Sequence, residues 1–156
     1  MFSRLIPTPL GPLYAEASER GLTSVRLLVL AEDFSEHSNP LLEHLAAGVG
    51  RYFEGEAELF LDIDLDYRGF SPERIALYER VRRIPFGSTT SYAALGRELA
   101  LSPRAVGAGM RACPFFLVVP AQRVIHADGR LGGFMGAEGI KLWLLLHEGL
   151  EASRFR

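Results

Sequence analysis

The chain has 156 residues, of which 48% are hydrophobic, enough for a buried core in one or two small domains. No apolar run reaches the length of a membrane span, the N-terminus lacks a basic-then-apolar signal pattern, and a cytoplasmic protein is expected. A single cysteine excludes an internal disulfide and a multi-cysteine zinc site. The net charge of −2 conceals an asymmetry: residues 1–70 carry 5 basic and 12 acidic residues, and residues 71–156 carry 12 basic and 7 acidic. That split fits a polyanion-binding module joined to one that does not bind.

Residues 4–7 begin extended, and Pro7, Pro9, Gly11 and Pro12 make a turn region. Residues 13–17 and 22–29, joined by Ser18-Glu19-Arg20-Gly21, predict a β-hairpin. Asn39-Pro40 caps a helix with Leu41, Leu42, Leu45, Val49, Tyr52 and Phe53 at helical spacing, stopped by Gly55. Residues 61–66 alternate strictly between apolar residues and aspartate, which predicts a strand with one wet face. Asp62, Asp64, Asp66 and Glu73 occupy positions one, three, five and twelve of a calcium loop. The sixth position is Tyr67 instead of glycine and no helix precedes, so no metal is expected.

Ser71-Pro72 opens a helix with Ile75, Leu77, Tyr78 and Val81 as its apolar stripe, ending in Arg82-Arg83 near phosphate or helix dipole. Ser91 caps a second helix holding Tyr92, Leu95 and Leu99. Ser102-Pro103 starts a third, with Arg104 in its first turn and little side-chain bulk beyond. Two short helices joined by a tight turn predict a helix-turn-helix. Gly107 and Gly109 cost about 1 kcal/mol each against alanine in a helix, so close approach to another surface must justify them. That surface is either a neighbouring helix or a nucleic-acid groove. Phe115 to Val119 reads as a buried extended segment between two prolines, and with the Gly129–Gly133 turn supplies a wing. The last helix, from Glu138 to His147, turns Ile140, Trp143, Leu144 and His147 inward and stops at Gly149. The fold class is α+β: an N-terminal sheet-and-helix scaffold (1–66), then a winged helix-turn-helix domain (67–156).

The patterns I-P-F-G-x-x-x-S-Y-x-x-L from Ile84, S-P-R-A-V-G from Ser102, V-P-x-x-R-V-I from Val119 and K-x-W-L-L-x-H-E-G from Lys141 occur in order. Together they resemble the O6-alkylguanine-DNA alkyltransferase family across residues 69–150. The family accepts an alkyl group on the cysteine of Pro-Cys-His-Arg-Val, and this chain reads Pro120-Ala121-Gln122-Arg123-Val124. Alanine has no nucleophile and a neutral amide is no base, so the reaction has lost two of its three groups. The third, Glu148, then reads as a helix-end carboxylate bonded to local N–H groups. The resemblance is to the alkyltransferase-like, cysteine-lacking branch.

The resemblance implies a DNA-binding set of Tyr92, Ser102, Arg104, Ala105, Gly109 and Arg123, with Arg104 filling the gap left by a flipped nucleotide. It implies a lesion pocket of Tyr92, Met110, Pro120, Ala121, Val124, Phe134 and Met135. Val124 reads the base edge through its backbone, and Phe134 with Met135 walls the alkyl group. The implied partner is duplex DNA containing O6-alkylguanine. No cofactor is implied, the protein acts as a monomer, and a damage-recognition protein of nucleotide excision repair takes over the site. Two alternatives stand beside the sensor. One is an active methyltransferase using Cys113, although His126 lies on a loop beyond the site. The other is a sequence-reading helix-turn-helix regulator, against which stands the scarcity of Arg, Asn and Gln on the Ala/Gly helix.

Overall fold

The computed structural model describes residues 1–28, 34–58, 60–134 and 138–156. The chain is α+β and divides into two compact units: residues 1–69 with 114–118, and residues 70–113 with 119–156. Among the described residues no helix is long and apolar enough to cross a membrane.

The first unit is built on an antiparallel sheet of β1 (Phe2–Ile6), β2 (Leu13–Ala17) and β3 (Leu22–Leu27), in that order. Ile6 pairs with Leu13, and Leu13 with Leu27. The hairpin turns at Gly21 (φ +155°), where a Cβ would meet the Asp64 carbonyl oxygen at 2.6 Å. Helix α1 (Pro40–Phe53) is capped by Asn39 Oδ1, which accepts from Leu42 N–H at 2.9 Å. It buries Leu42, Leu45, Val49 and Tyr52, with the sheet residues Leu13, Ala15, Leu22 and Val25 also in the unit's core.

Two expectations fail in this unit. Residues 61–66 are not a strand; they turn, and Leu65 alone bridges to Leu22. The aspartates have nearer partners than a ladder: Asp62 Oδ2 meets His44 Nε2 at 2.5 Å, and Asp66 accepts from Ser18 Oγ at 2.6 Å and from the Arg68 backbone and guanidinium. Short polar side chains that bond locally compete with sheet formation. The second failure is the apolar run. Val25 N–H donates to Pro114 O (2.8 Å) and Phe116 N–H to Val25 O (3.1 Å), so its start lies along β3 in the first unit. It then turns at once, with Leu117 at φ +70°, and is no wing strand. The open edge of β3 claims it because a sheet edge presents unpaired N–H and C=O groups.

The second unit contains α2 (Pro72–Val81), β4 (Thr90–Ser91), α3 (Tyr92–Leu99), α4 (Pro103–Arg111), β5 (Val124–Ile125) and α5 (Glu138–His147). Ser71, Ser91 and Ser102 each cap the helix that follows, accepting from the N–H three residues on, each worth about 1 kcal/mol. Ala100 takes the left-handed conformation (φ +58°) and Leu101 N–H bonds Gly96 O at 2.8 Å, giving the tight turn from α3 to α4. β4 and β5 pair in parallel, Thr90 with Val124 and Ser91 with Ile125, which fixes the start of α3 beside residues 121–125.

Helix α5 is rotated from its expected face. Leu144 is buried as expected, but Lys141, Leu145 and Glu148 complete the inward row, while Trp143 is exposed and stacks on His147 with centroids 5.1 Å apart. A charged residue is not expected in a core; here both charges have partners, described below. Arg82 is likewise buried, its Nη1 donating to Glu79 at 3.0 Å, and is not placed for phosphate.

Candidate functional site

Helix α4 has two working faces. Val106, Gly109 and Met110 are buried. A Cβ on Gly109 would overlap the Leu77 side chain of α2, and Gly109 O accepts from Tyr78 Oη at 2.7 Å. Gly109 is therefore a helix-packing residue, which corrects its expected place among the DNA contacts. Arg104, Gly107 and Arg111 stand on the opposite face at spacings of three and four and line a cleft of about 680 Å³. The two glycines thus face different surroundings, Gly109 the side chain of Leu77 and Gly107 the cleft. Ser102 Oγ is occupied in capping, accepting from Ala105 N–H at 3.1 Å, and neither residue lines the cleft.

Tyr92 and Ala93, at the start of α3, form another side of the cleft, and Pro103 stands beside Arg104. The far wall is the turn after β5, with His126, Ala127, Asp128, Arg130 and Gly133. His126 N–H bonds Arg130 O at 2.9 Å and so closes that turn. His126 is not beyond the site: its ring lies 4.9 Å from the Tyr92 ring, tilted by 44°. Gly132 (φ +79°) sits under both, and a Cβ there would stand 2.9 Å from Tyr92 Oη and 3.2 Å from His126 Nε2.

Behind Tyr92 lies Lys141, 1% exposed and the one lysine of the chain. Its Nζ donates to Val124 O at 2.7 Å and to Tyr92 Oη at 3.3 Å, and lies 5.6 Å from the Tyr92 ring centre. Burial pushes the Tyr92 phenol above its ordinary value, with Arg111 pulling the other way. Lys141 thus couples the Tyr92 hydroxyl to the backbone at Val124, the residue whose backbone the resemblance gives to base reading. Phe134 is buried, its ring 6.0 Å from Lys141 Nζ. Met135 lies outside the described residues.

The segment around Ala121 and Gln122 is built tightly. Ala121 is half-buried in a short 3₁₀ turn, and Pro120, Met110 and Val124 are buried; none of the four lines the cleft. Gln122 (1% exposed) donates Nε2–H to Glu148 Oε2 at 3.1 Å. Arg123 (2% exposed) donates Nε–H to Glu148 Oε1 at 2.8 Å, Nη2–H to Oε2 at 3.2 Å, and Nη1–H to Ile84 O at 2.8 Å. Gly87 N–H, 61 residues away, donates to Oε1 at 3.0 Å. The carboxylate accepts four hydrogen bonds from three residues, all far from it in sequence, which overturns the local helix-end reading of Glu148. Arg123 is buried with a forked partner and does not line the cleft, which stands against its expected place in the binding set. Cys113 is buried and does not line the cleft. Burial first, and Cys113 second, push the neighbouring Tyr78 phenol up to about 12.

Of the residues expected in the binding set, Tyr92 and Arg104 meet at the cleft. Arg111, His126 and Arg130 were missed. Arg111 was legible as the residue seven after Arg104 on one helical face; His126 and Arg130 needed the fold of the turn. Lys141 had a signal too, as one lysine among arginines.

Two family models together match almost the whole chain. Residues 1–67 match the ribonuclease-like domain of 6-O-methylguanine DNA methyltransferase, and residues 72–150 match its DNA binding domain. The chain is similar to a protein of Thermus thermophilus named DNA base-flipping protein, 58% identical over 144 residues, covering 92% of this chain and 97% of that one. It is similar to a methylated-DNA–protein-cysteine methyltransferase of Mycobacterium bovis, 33% identical, covering 91% and 88%. The fold matches the crystal structure of Mycobacterium tuberculosis OGT in complex with DNA, with a TM-score of 0.81, 30% identity and coverage of 99% and 95%. By matched models, relatives and fold alike, this chain belongs to the 6-O-methylguanine DNA methyltransferase family.

Proposed function

We propose that this protein binds O6-alkylguanine in duplex DNA by turning the nucleotide out of the stack, and holds it without taking up the alkyl group. The observation that carries the reading is a pairing of opposites at one site. Arg104 stands exposed on the lip of a cleft with Tyr92 inside it, while the nucleophile's position is a methyl group and its neighbour is an amide locked onto Glu148. Unstacking a nucleotide costs a few kcal/mol, which an arginine plane in the gap and an aromatic face beside the base partly return. A damaged, weakly paired guanine costs less to extrude, and this supplies selectivity without chemistry. The Thermus thermophilus relative's name, DNA base-flipping protein, supports the same reading. A lesion that is held must be passed on, and the family resemblance points to nucleotide excision repair as the recipient.

The test is a binding titration of the monomeric protein on matched duplexes with guanine or O6-methylguanine, with mass spectrometry of the protein afterwards. The expected result is tighter binding to the lesion, a loss of roughly tenfold or more of that preference in Arg104→Ala, and no added methyl group. Equal affinity for both duplexes sinks the sensor reading, and a methylated Cys113 replaces it with an enzyme. A footprint on undamaged DNA of one sequence would favour the regulator instead.

A further inference from the structure

The residues beyond α5 return to the cleft. After Leu150 the chain makes a 3₁₀ turn (Ala152–Arg154), and Arg156 N–H then donates to Gly129 O at 2.9 Å. Gly129 lies in the turn that forms the cleft's far wall, between Asp128 and Arg130. The approach is close: a Cβ on Gly129 would stand 3.0 Å from Arg154 O and 3.6 Å from Arg156 Cγ. Arg154 and Arg156 are both exposed.

The charge on the two walls decides what this docking does. The α4 wall presents Arg104 and Arg111 with no acid among the residues lining it. The far wall is neutral by itself, because Arg130 Nε is spent on both oxygens of Asp128, at 3.2 and 2.9 Å. A carboxylate on a surface that faces phosphates repels them unless it is compensated. The Arg130 backbone N–H, then its guanidinium, and after them the charge of Arg156 hold the Asp128 carboxyl below its ordinary value. Residues 152–156 carry no acidic side chain, and Glu151 immediately precedes them.

We propose that residues 152–156 form a second clamp on the DNA backbone, in which Arg154 and Arg156 contact phosphates along the far wall while Arg104 and Arg111 act on the α4 wall. The clamp is indifferent to the lesion, since phosphates carry no base identity. It rests on the DNA-binding reading above but not on lesion preference.

The experiment is fluorescence anisotropy with guanine and O6-methylguanine duplexes across 50–200 mM salt, comparing the full chain with Arg154→Ala/Arg156→Ala. Each phosphate contact contributes about 0.9 to the slope of log affinity against log salt. The double variant flattens that slope by about 2 and weakens both duplexes by the same factor, leaving their ratio unchanged. An unchanged slope overturns the clamp, as does a change in the ratio, which would place the two arginines on the flipped nucleotide. If the wild type prefers neither duplex and the slope still flattens, the sensor reading fails and the clamp stands. If the wild type binds neither duplex, both fall. Circular dichroism of the double variant checks its fold, and both side chains are exposed.

Discussion

Arg123 and Arg104 are the same residue type in the same half of the chain, and they do opposite things. Arg104 follows a capped helix start and points into solvent at the cleft. Arg123 is buried, and its fork closes on Glu148. Removing one partner of a buried ion pair leaves a charge without compensation and costs about 3–5 kcal/mol. Arg123→Ala should therefore lower the urea midpoint sharply, and material that still folds should keep the wild-type salt slope on DNA. A flattened slope would mean that Arg123 reaches phosphate after all. Arg123→Lys should recover only part of the loss, because an ammonium cannot reproduce the two-pronged contact. The family pattern made residue 123 visible, but nothing in a one-dimensional string separates an arginine aimed at phosphate from one aimed at a carboxylate 25 positions away.

At the scale of elements, α4 is the most informative helix because one of its two glycines packs on α2 and the other lines the cleft. Gly109 faces Leu77 of α2, where an added methyl group has no room. Overpacking of this kind costs about 1–3 kcal/mol, so Gly109→Ala should lower the thermal midpoint. Gly107 meets only the mobile end of Arg111, at 3.3 Å. Gly107→Ala should stabilise the helix by up to about 1 kcal/mol through propensity and weaken DNA binding by narrowing the cleft. A Gly107→Ala protein that binds as tightly as wild type would show that the glycine serves only the fold. The helices were legible because serine caps, prolines and apolar spacing all act within a few residues. The inward face of α5 was not, since Ile140-Trp143-Leu144-His147 and Lys141-Leu144-Leu145-Glu148 fit the same period. Partners on other segments chose the charged row.

For the molecule as a whole, charge is divided between the halves of the chain, and acid should test them differently. In the first unit Asp66 ties residue 66 to Ser18, 48 positions earlier, and Arg68 before all else, then Ser18, holds its carboxyl far below the ordinary value. A depressed folded-state value means stability that is fully present above about pH 4, the unfolded carboxylate value, and is lost as pH falls through the folded one. Asp66→Asn should therefore lower the urea midpoint at pH 7, and the difference from wild type should shrink as pH drops below about 4. Parallel midpoints down to pH 2 would remove Asp66 from the acid response. In the second unit Arg104, Arg111 and Arg130 line one cleft, while Arg82 and Arg123 are buried and Arg80 pairs with Glu98, so the count of arginines alone does not describe the charge the cleft presents.

The sequence by itself determined the α+β class, the helix starts at Asn39, Ser71, Ser91 and Ser102, the turn glycines, and the presence of a methyl group and an amide at Ala121 and Gln122. Each depends on a side chain's own chemistry or on neighbours within one helical turn. Only the tertiary structure decided that Phe115 bridges to Val25 at the edge of the first unit's sheet, that residues 61–66 turn back, that Glu148 gathers Gly87, Gln122 and Arg123, and that His126 joins Tyr92 beside Lys141. Those outcomes turn on which distant donor meets which acceptor once water is excluded. Pairing energies of that kind exist only after the chain has closed on itself.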